Sequence, residues 1–296
     1  MLKSLEIHNY KNLDTLIIPS LSRINLITAP NNAGKTTLLE AITLLATKGN
    51  AKMIDSILNA RGSSDVDYAS LFHYGTTDAI YIGTASDEQQ QTFVRIKLEN
   101  YQLEVETSDF QPINLHYTSS NIGDISVDEQ RLWDNIALTN KKYDVIAALK
   151  ILEPRIEDIH FGANCSVIVR LSGVEAPVSL RSMGGGINHI LSIALNLVCS
   201  DNGIVLIDEI ENGLHFREIE KLWQFIFTLA EKLDTQVFIT THSADIILSF
   251  TKILNEQPNS AIGQVLRIDR KKEKIKAVMM DADALADFYE LKLEAR

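Results

Sequence analysis

The chain has 296 residues and a formal net charge of −11, with 45% hydrophobic and 23% charged side chains, 14 Gly, 6 Pro and two Cys. That composition excludes intrinsic disorder and supplies apolar residues for a sizeable core, while no apolar run reaches the roughly 20 residues that span a bilayer. Cys165 and Cys199 are too few for a thiolate metal site and read as buried free thiols of a cytoplasmic protein, and the negative field of a monomer repels nucleic acid unless a basic surface or a partner offsets it.

Residues 2–9 and 14–18 alternate as strands, and "RINLIT" at 23–28 is a short buried strand. A glycine loop follows at once, and after it an amphipathic helix runs to about Ala46, with Leu38, Leu39, Ile42 and Leu45 at helical spacing. Residues 80–107 read as three antiparallel strands joined by polar turns, 108–124 as loop, and 128–152 as one helical stretch stopped by Pro154. Beyond that the pattern alternates: helix 186–199, strand 203–208, helix 215–233, strand 236–241, helix 243–250. Such alternation predicts a mainly parallel sheet with helices on its faces. A hairpin over 263–280 and a short helix from Asp283 end the chain. The expected fold class is α/β, a single domain over 1–296 with a core from 1–50 and 165–296 and a β and helical insertion over about 51–164.

"APNNAGKT" at 29–36 matches the phosphate-loop pattern G-x-x-x-x-G-K-[ST] everywhere but its first place, where Ala29 stands for Gly. A buried strand enters it and a helix leaves it, so main-chain N–H groups and the helix N-terminus surround a phosphate chain with positive potential. Asn31, Asn32, Ala33, Gly34, Lys35, Thr36 and Thr37 are therefore the nucleotide-binding residues. Lys35 is expected on the β- and γ-phosphates and the Thr36 hydroxyl on Mg²⁺. "GIVLIDE" places Asp208 and Glu209 at the C-terminal end of a buried strand, where α/β proteins bind ligands. Asp208 suits Mg²⁺, and Glu209 suits orienting and deprotonating a water during phosphoryl transfer. "VFITTHS" ends a second strand in His242, which the strand-helix-strand spacing carries to the same sheet edge as a γ-phosphate sensor. In "LRSMGGGINHIL", Ser182, Gly184 and Gly186 open a helix, and a helix N-terminus again suits an anion. By itself this stretch reads equally as a turn with a Ser182 or glycine cap. Because the chain has one phosphate loop, the second anion element fits a nucleotide held by another subunit.

With these four elements in order, the sequence resembles the ABC-type ATPases of the SMC, RecF and OLD group, and within it the compact AAA-family members. The resemblance covers the whole chain, including the opening "LKSLEIHNYKNL". Walker A falls on Ala29 to Thr37, Walker B on Val205 to Glu209, the switch histidine on His242, and the signature on Ser182, Gly184 and Gly186, where "SMGGG" replaces the commoner Ser-Gly-Gly-Gln. "ENGLH", with Glu211 and His215, takes the D-loop position. A Q-loop glutamine has no clear place: Gln89 to Gln91 fall in a turn, and "SLFHYG" at 70–75 is the other candidate. What the resemblance implies is a P-loop NTPase of the ABC head type with a mixed or antiparallel β subdomain, binding ATP and Mg²⁺ and pairing head to tail with a second copy around two ATPs.

Two functional readings follow, beside a blander third, an ATP-dependent assembly scaffold that hydrolyses slowly or not at all, against which Glu209 argues. In the first, a sensor ATPase works with a separately encoded effector, as small relatives do in phage-defence modules; Asp281 and Asp283 in "DADALAD" then read as a helix cap, not a nuclease site. In the second, a RecF-like DNA-repair ATPase clamps DNA, with Arg267, Arg270, Lys271, Lys272, Lys274 and Lys276 along the terminal hairpin, a run that also reads as a solvated face. A membrane partner and a transport role are not expected.

Overall fold

A computed structural model describes residues 1–30, 33–59, 67–74, 76, 78–84, 91–120, 126–271 and 274–280. These fall into two compact units, 1–115 with 261–296 and 116–260.

In the first unit, β1 (Leu5–Tyr10) and β2 (Leu13–Ile18) form a hairpin with Leu5 opposite Ile18 and Tyr10 opposite Leu13. β3 (Ile24–Thr28) has four of its five residues buried and leads into α1 (Lys35–Ala46) through the phosphate loop; α2 (Ala51–Asn59) follows. Three further strands, β4 (Ile80–Gly83), β5 (Phe93–Glu99) and β6 (Gln102–Thr107), extend the hairpin to an antiparallel sheet in the order β2-β1-β4-β5-β6. The expected three-stranded β subdomain is thus five-stranded, because β1 pairs with β4, Ile7 opposite Ile82. Ile7, Ile82 and Val94 share one buried face, and α1 packs against β1, β4 and β5; each such side chain contributes about 1.5–3 kcal/mol by leaving water.

In the second unit, β7 (Leu115–Thr118) leads to α3 (Val127–Ile136) and α4 (Lys141–Leu149). Sequence analysis expected a loop over the first and one helix over the others. β7 is only four residues long and mixes His116 and Thr118 with apolar neighbours, so periodicity does not reveal it. α3 is opened by a capping box, with Ser126 accepting from the Glu129 N–H and Glu129 reaching back to Ser126, and it stops where the Thr139 hydroxyl donates to the Ile136 carbonyl. β8 (Ile156–Phe161), β9 (Val167–Leu171) and β10 (Val178–Ser179) form a small antiparallel sheet that the sequence analysis did not foresee, nor did it foresee α2. Then come α5 (Gly185–Val198), β11 (Ile204–Ile207), α6 (Phe216–Lys232), β12 (Gln236–Thr241) and α7 (Ala244–Glu256), close to the expected alternation. β11 and β12 run parallel and in register, Ile204 opposite Gln236 through Ile207 opposite Ile239, and β7 flanks β11. Trp223 of α6 meets Phe250 of α7 edge-on at 5.0 Å.

The chain returns to the first unit with the expected hairpin, β13 (Gly263–Lys271) and β14 (Lys274–Met280), β13 lying parallel to β3. Arg267 pairs with Asp269 at 2.7 Å, while Arg270 and Lys276 are exposed. The helix expected from Asp283, the acids Asp281 and Asp283, and Gln89 and Gln90 lie outside the described residues. Among the described residues, no helix is long and apolar enough to cross a membrane.

Candidate active site

Each unit carries one group of the expected residues. In the first, α1 opens on Gly34, whose φ is +101°, and a Cβ there would lie 3.0 Å from Leu13 Cδ2 and 3.2 Å from the Asn12 amide. The positive φ favours glycine, and the two side chains would have to shift slightly to admit a Cβ. Lys35 is buried, and its ammonium donates to the Ala29 carbonyl at 3.0 Å and reaches the Pro30 carbonyl at 3.5 Å. A buried cation needs such partners, and here the loop's own main chain supplies them. Positive charge is therefore stored at the N-terminus of α1, where main-chain dipoles also favour an anion. Ala33 and Thr37 are buried and Thr36 is exposed. Ala29 takes no positive φ, so alanine in place of the pattern's glycine carries no strain. Asn31 and Asn32 lie outside the described residues. The segment read as a candidate Q-loop docks on the β1–β2 turn, Lys11 N–H donating to the Leu71 carbonyl at 2.8 Å and His73 N–H to the Asn9 carbonyl at 2.9 Å.

In the second unit, the parallel pairing of β11 and β12 brings Asp208 and Glu209 to the same edge as Thr240 and His242. His242 Nε2 lies 3.3 Å from Glu209 Oε1, both side chains 36% exposed. The Asn212 amide donates to Glu209 Oε2 at 3.0 Å and to the Ser120 carbonyl at 2.8 Å, so the carboxylate is gripped at both oxygens. Glu211 accepts from the His242 N–H at 2.7 Å. Thr240 is fully buried; its hydroxyl donates to Asp208 Oδ1 at 2.5 Å and accepts from the Glu209 N–H at 2.8 Å. Glu209 itself has φ of 52°, a left-handed conformation that costs a glutamate about 1–2 kcal/mol and persists only where neighbours over-determine it. The bonds on its side chain and N–H hold that conformation in place.

Sequence reasoning missed Thr240, Asn212 and Thr118, whose carbonyl accepts from the Asp208 N–H at 3.0 Å. The available signal was two threonines ending an otherwise aliphatic strand. Thr240→Val keeps the shape and removes the hydroxyl, leaving Asp208 and the Glu209 N–H each short of a partner. Urea unfolding is expected to show a loss of about 1–3 kcal/mol, with Thr240→Ser close to wild type; equal stability of the valine variant would mean that the bonds contribute nothing.

At the glycine run, Ser182 is exposed and its hydroxyl donates to the Ser179 carbonyl at 2.7 Å. Gly184, with φ of 99°, is the N-cap of α5, so of the two caps that the sequence offered, Ser182 or the glycines, the glycine one is found. The exposed start of α5 keeps the character of an anion site. His189, one turn into α5, is 3% exposed, and burial pushes its pKa down to about 4 against a backbone bond to Ile210.

That shift couples stability to pH. The folded pKa lies below the unfolded one, so stability is complete above about pH 6.5 and is lost as the pH falls toward 4, where the unfolded chain binds a proton that the fold refuses. Denaturant titrations are expected to give on the order of 2 kcal/mol less stability at pH 5 than at pH 7.5 from this residue, and His189→Asn to remove that difference. An unchanged pH dependence in the variant would refute the assignment.

Asp208 offers a hard carboxylate oxygen and Thr36 an exposed hydroxyl, donor types that Mg²⁺ takes alongside phosphate oxygens and water. Among the described residues, no three His, Cys, Asp or Glu side chains form a closed cage.

A chain with these elements has the fold of a P-loop ATPase head. The crystal structure of an Smc head bound to the C-winged helix domain of ScpA matches with a TM-score of 0.67 at 11% identity, covering 97% of this chain and 99% of that one. An Smc head with an extended coiled coil, bound to the C-terminal domain of ScpA and derived from Pyrococcus furiosus, matches with a TM-score of 0.60 at 12% identity over 98% of each chain. Residues 1–259 match the RecF/RecN/SMC N-terminal domain, and the chain belongs to that family. It is an ATP-binding ATPase of the RecF and SMC class. It is also similar to a Helicobacter pylori protein described as an ATP/GTP phosphatase, 22% identical over 87% of this chain and 89% of that one.

Proposed function

We propose that this ATPase is a regulatory subunit that dimerises around ATP and passes its nucleotide state to a separately encoded effector, in the manner of a phage-defence module, with residues 1–296 acting as one ATPase domain. The phosphates lie on the loop from Asn31 and Asn32 through Ala33, Gly34, Lys35, Thr36 and Thr37, with the Lys35 ammonium exchanging main-chain carbonyls for phosphate oxygens. Thr36 in the first unit and Asp208 in the second are the residues that would hold Mg²⁺, which would supply positive charge to the phosphates. Glu209 orients the attacking water and accepts its proton on the carboxylate. The Asn212 amide on Oε2 keeps that carboxylate from turning, and His242, on Oε1, responds to the γ-phosphate. Ser182, Gly184 and Gly186 serve the nucleotide of a second copy.

The observation that carries this reading is the exposed start of α5 at Gly184, in a chain whose sequence holds a single phosphate loop. Contacts to the γ-phosphate contribute affinity for the closed pair, and that contribution ends when the phosphate leaves. A separate partner is supported by the Smc head of like fold crystallised with ScpA. A RecF-like DNA clamp is the second reading, favoured by Arg270 and Lys276 exposed on the terminal hairpin and opposed by the net charge of −11.

Light scattering behind a sizing column, with and without Mg-ATP, tests the pairing. The expected result is a monomer that becomes a dimer with ATP and stays one in Glu209→Gln. A mass indifferent to ATP in both proteins would sink the shared-site reading.

A further inference from the structure

β6 stands at the end of its sheet: it pairs with β5, and no strand among the described residues pairs with its other side. The hairpin turns on Asn100 and Tyr101, both left-handed with φ of 50° and 63°, so the closing pair Glu99 and Gln102 is one that exchanges main-chain bonds. That alternation runs on to Ser108, whose N–H donates to the Phe93 carbonyl at 3.2 Å. Gln102, Glu104 and Glu106 therefore direct their N–H and carbonyl groups to β5, and those of Leu103, Val105 and Thr107 point away from it. The six pairs stay in register without a bulge, and β6 holds neither Pro nor Lys, the usual guards of an open edge.

The side chains at this edge are sorted by face. Leu103 and Val105 lie on the face that carries the buried Val94 and Ile96, yet Val105 is 40% exposed. With Ala51, Ile54, Tyr68 and Tyr101 they line a cleft of about 210 Å³ beside α2. On the opposite face Glu104 and Glu106 are exposed, Glu106 meeting Arg95 at 3.3 Å and Glu104 lying across from Lys97. A strand added outside β6 sets its own side chains beside these two acids.

We propose that β6 is a docking edge that takes an extended segment of a partner protein as a further strand, one with alternating apolar and basic side chains. The apolar ones enter the cleft beside α2, and Lys or Arg lies beside Glu104 and Glu106. Open N–H and carbonyl groups on alternate residues are matched by an extended main chain, while the cleft and the two acids select its side chains. A second copy of β6 is the wrong occupant, since two such edges bring Glu104 and Glu106 of one against the same acids of the other. The inference does not depend on the ATP-dependent pairing, and it concerns the first unit alone.

The test uses the full chain without nucleotide and a short fluorescent peptide alternating Val and Lys, with a Val and Glu peptide as the reverse-charge control, read by anisotropy at physiological salt. The Lys peptide is expected to bind saturably and about 10-fold or more tighter than the Glu peptide, and a Glu104→Lys, Glu106→Lys double variant to reverse that order. Val105→Pro removes an outward N–H at an edge position where proline leaves the β5 ladder whole. It is expected to weaken the Lys peptide about 10-fold or more with melting temperature and ATP turnover near wild type, while Val105→Ile binds as wild type does. If the proline variant fails to fold, the Lys peptide N-methylated along its main chain decides on the wild type, because it keeps the charge and loses the donors. Hydrogen exchange locates the site: the Leu103 and Val105 amides are expected to slow about 10-fold or more when the Lys peptide is bound. No saturable binding of the Lys peptide, equal binding of the two peptides, undiminished affinity for the proline variant or the methylated peptide, or amides at 103 and 105 that stay unprotected would each overturn the proposal.

Discussion

Glu209→Gln is expected to lower ATP turnover by about 100-fold or more and to leave nucleotide binding near wild type, because a positioned general base contributes about 10²–10⁴ to a rate. The amide keeps the size of the side chain and can still meet Asn212 and His242, so the loop is not expected to collapse. It cannot take a proton from water. Of the six residues gathered at the ends of β11 and β12, only Glu209 is both strained, with φ of 52°, and contacted at both side-chain oxygens. Phosphate release measured beside binding of a fluorescent ATP analogue separates the two effects. Full turnover in the variant would show that another group activates the water; lost binding would show that the loop, not the chemistry, had been damaged.

Gly186→Ala should be the most damaging small substitution on α5. Alanine in a helix is ordinarily favoured over glycine by about 1 kcal/mol. Here its methyl carbon would stand 2.1 Å from a main-chain oxygen, and the Gly213 peptide that owns the oxygen sits in a turn with φ of 71°. No side chain can swing aside, so the helix or the loop must move. The expected net loss is about 2 kcal/mol or more, seen as a melting temperature roughly 5 °C lower, and turnover should fall as well because that loop runs on from Glu209. A variant as stable and active as wild type would mean that α5 and the loop yield at no cost and do not act as one body.

Much of this was legible in the sequence, for a physical reason. Gly34, Lys35, Asp208 and Glu209 sit where strand turns to loop or helix, and such junctions announce themselves through an aliphatic run that stops at a charge or a glycine. The run 203–208 predicted β11, and the carboxylates at its end followed from it. Thr240 and Asn212 were invisible by the same logic, since each looks like an ordinary member of its segment and owes its contacts to a partner brought up by tertiary pairing. Asp208 and Thr240 lie 32 residues apart, and only the parallel register of β11 with β12 joins them. β7 escaped notice because a four-residue strand has too few periods to stand out, yet its Thr118 carbonyl anchors Asp208. Gly186 was read with the glycines that suit an anion; its tightest neighbour is the chain's own Gly213 carbonyl, a contact that no local pattern encodes.

The backbone at position 209 also sets selection for a robust fold against selection for turnover. A left-handed residue is most comfortable as glycine or asparagine. Either would relax the turn and strengthen the fold by something near 1 kcal/mol, and either would discard the carboxylate. Drift or laboratory evolution scored only on thermal resistance should therefore reach inactive heads by a single step at this position, and a screen for hardier versions of this protein has to score hydrolysis alongside melting if it is to keep the enzyme.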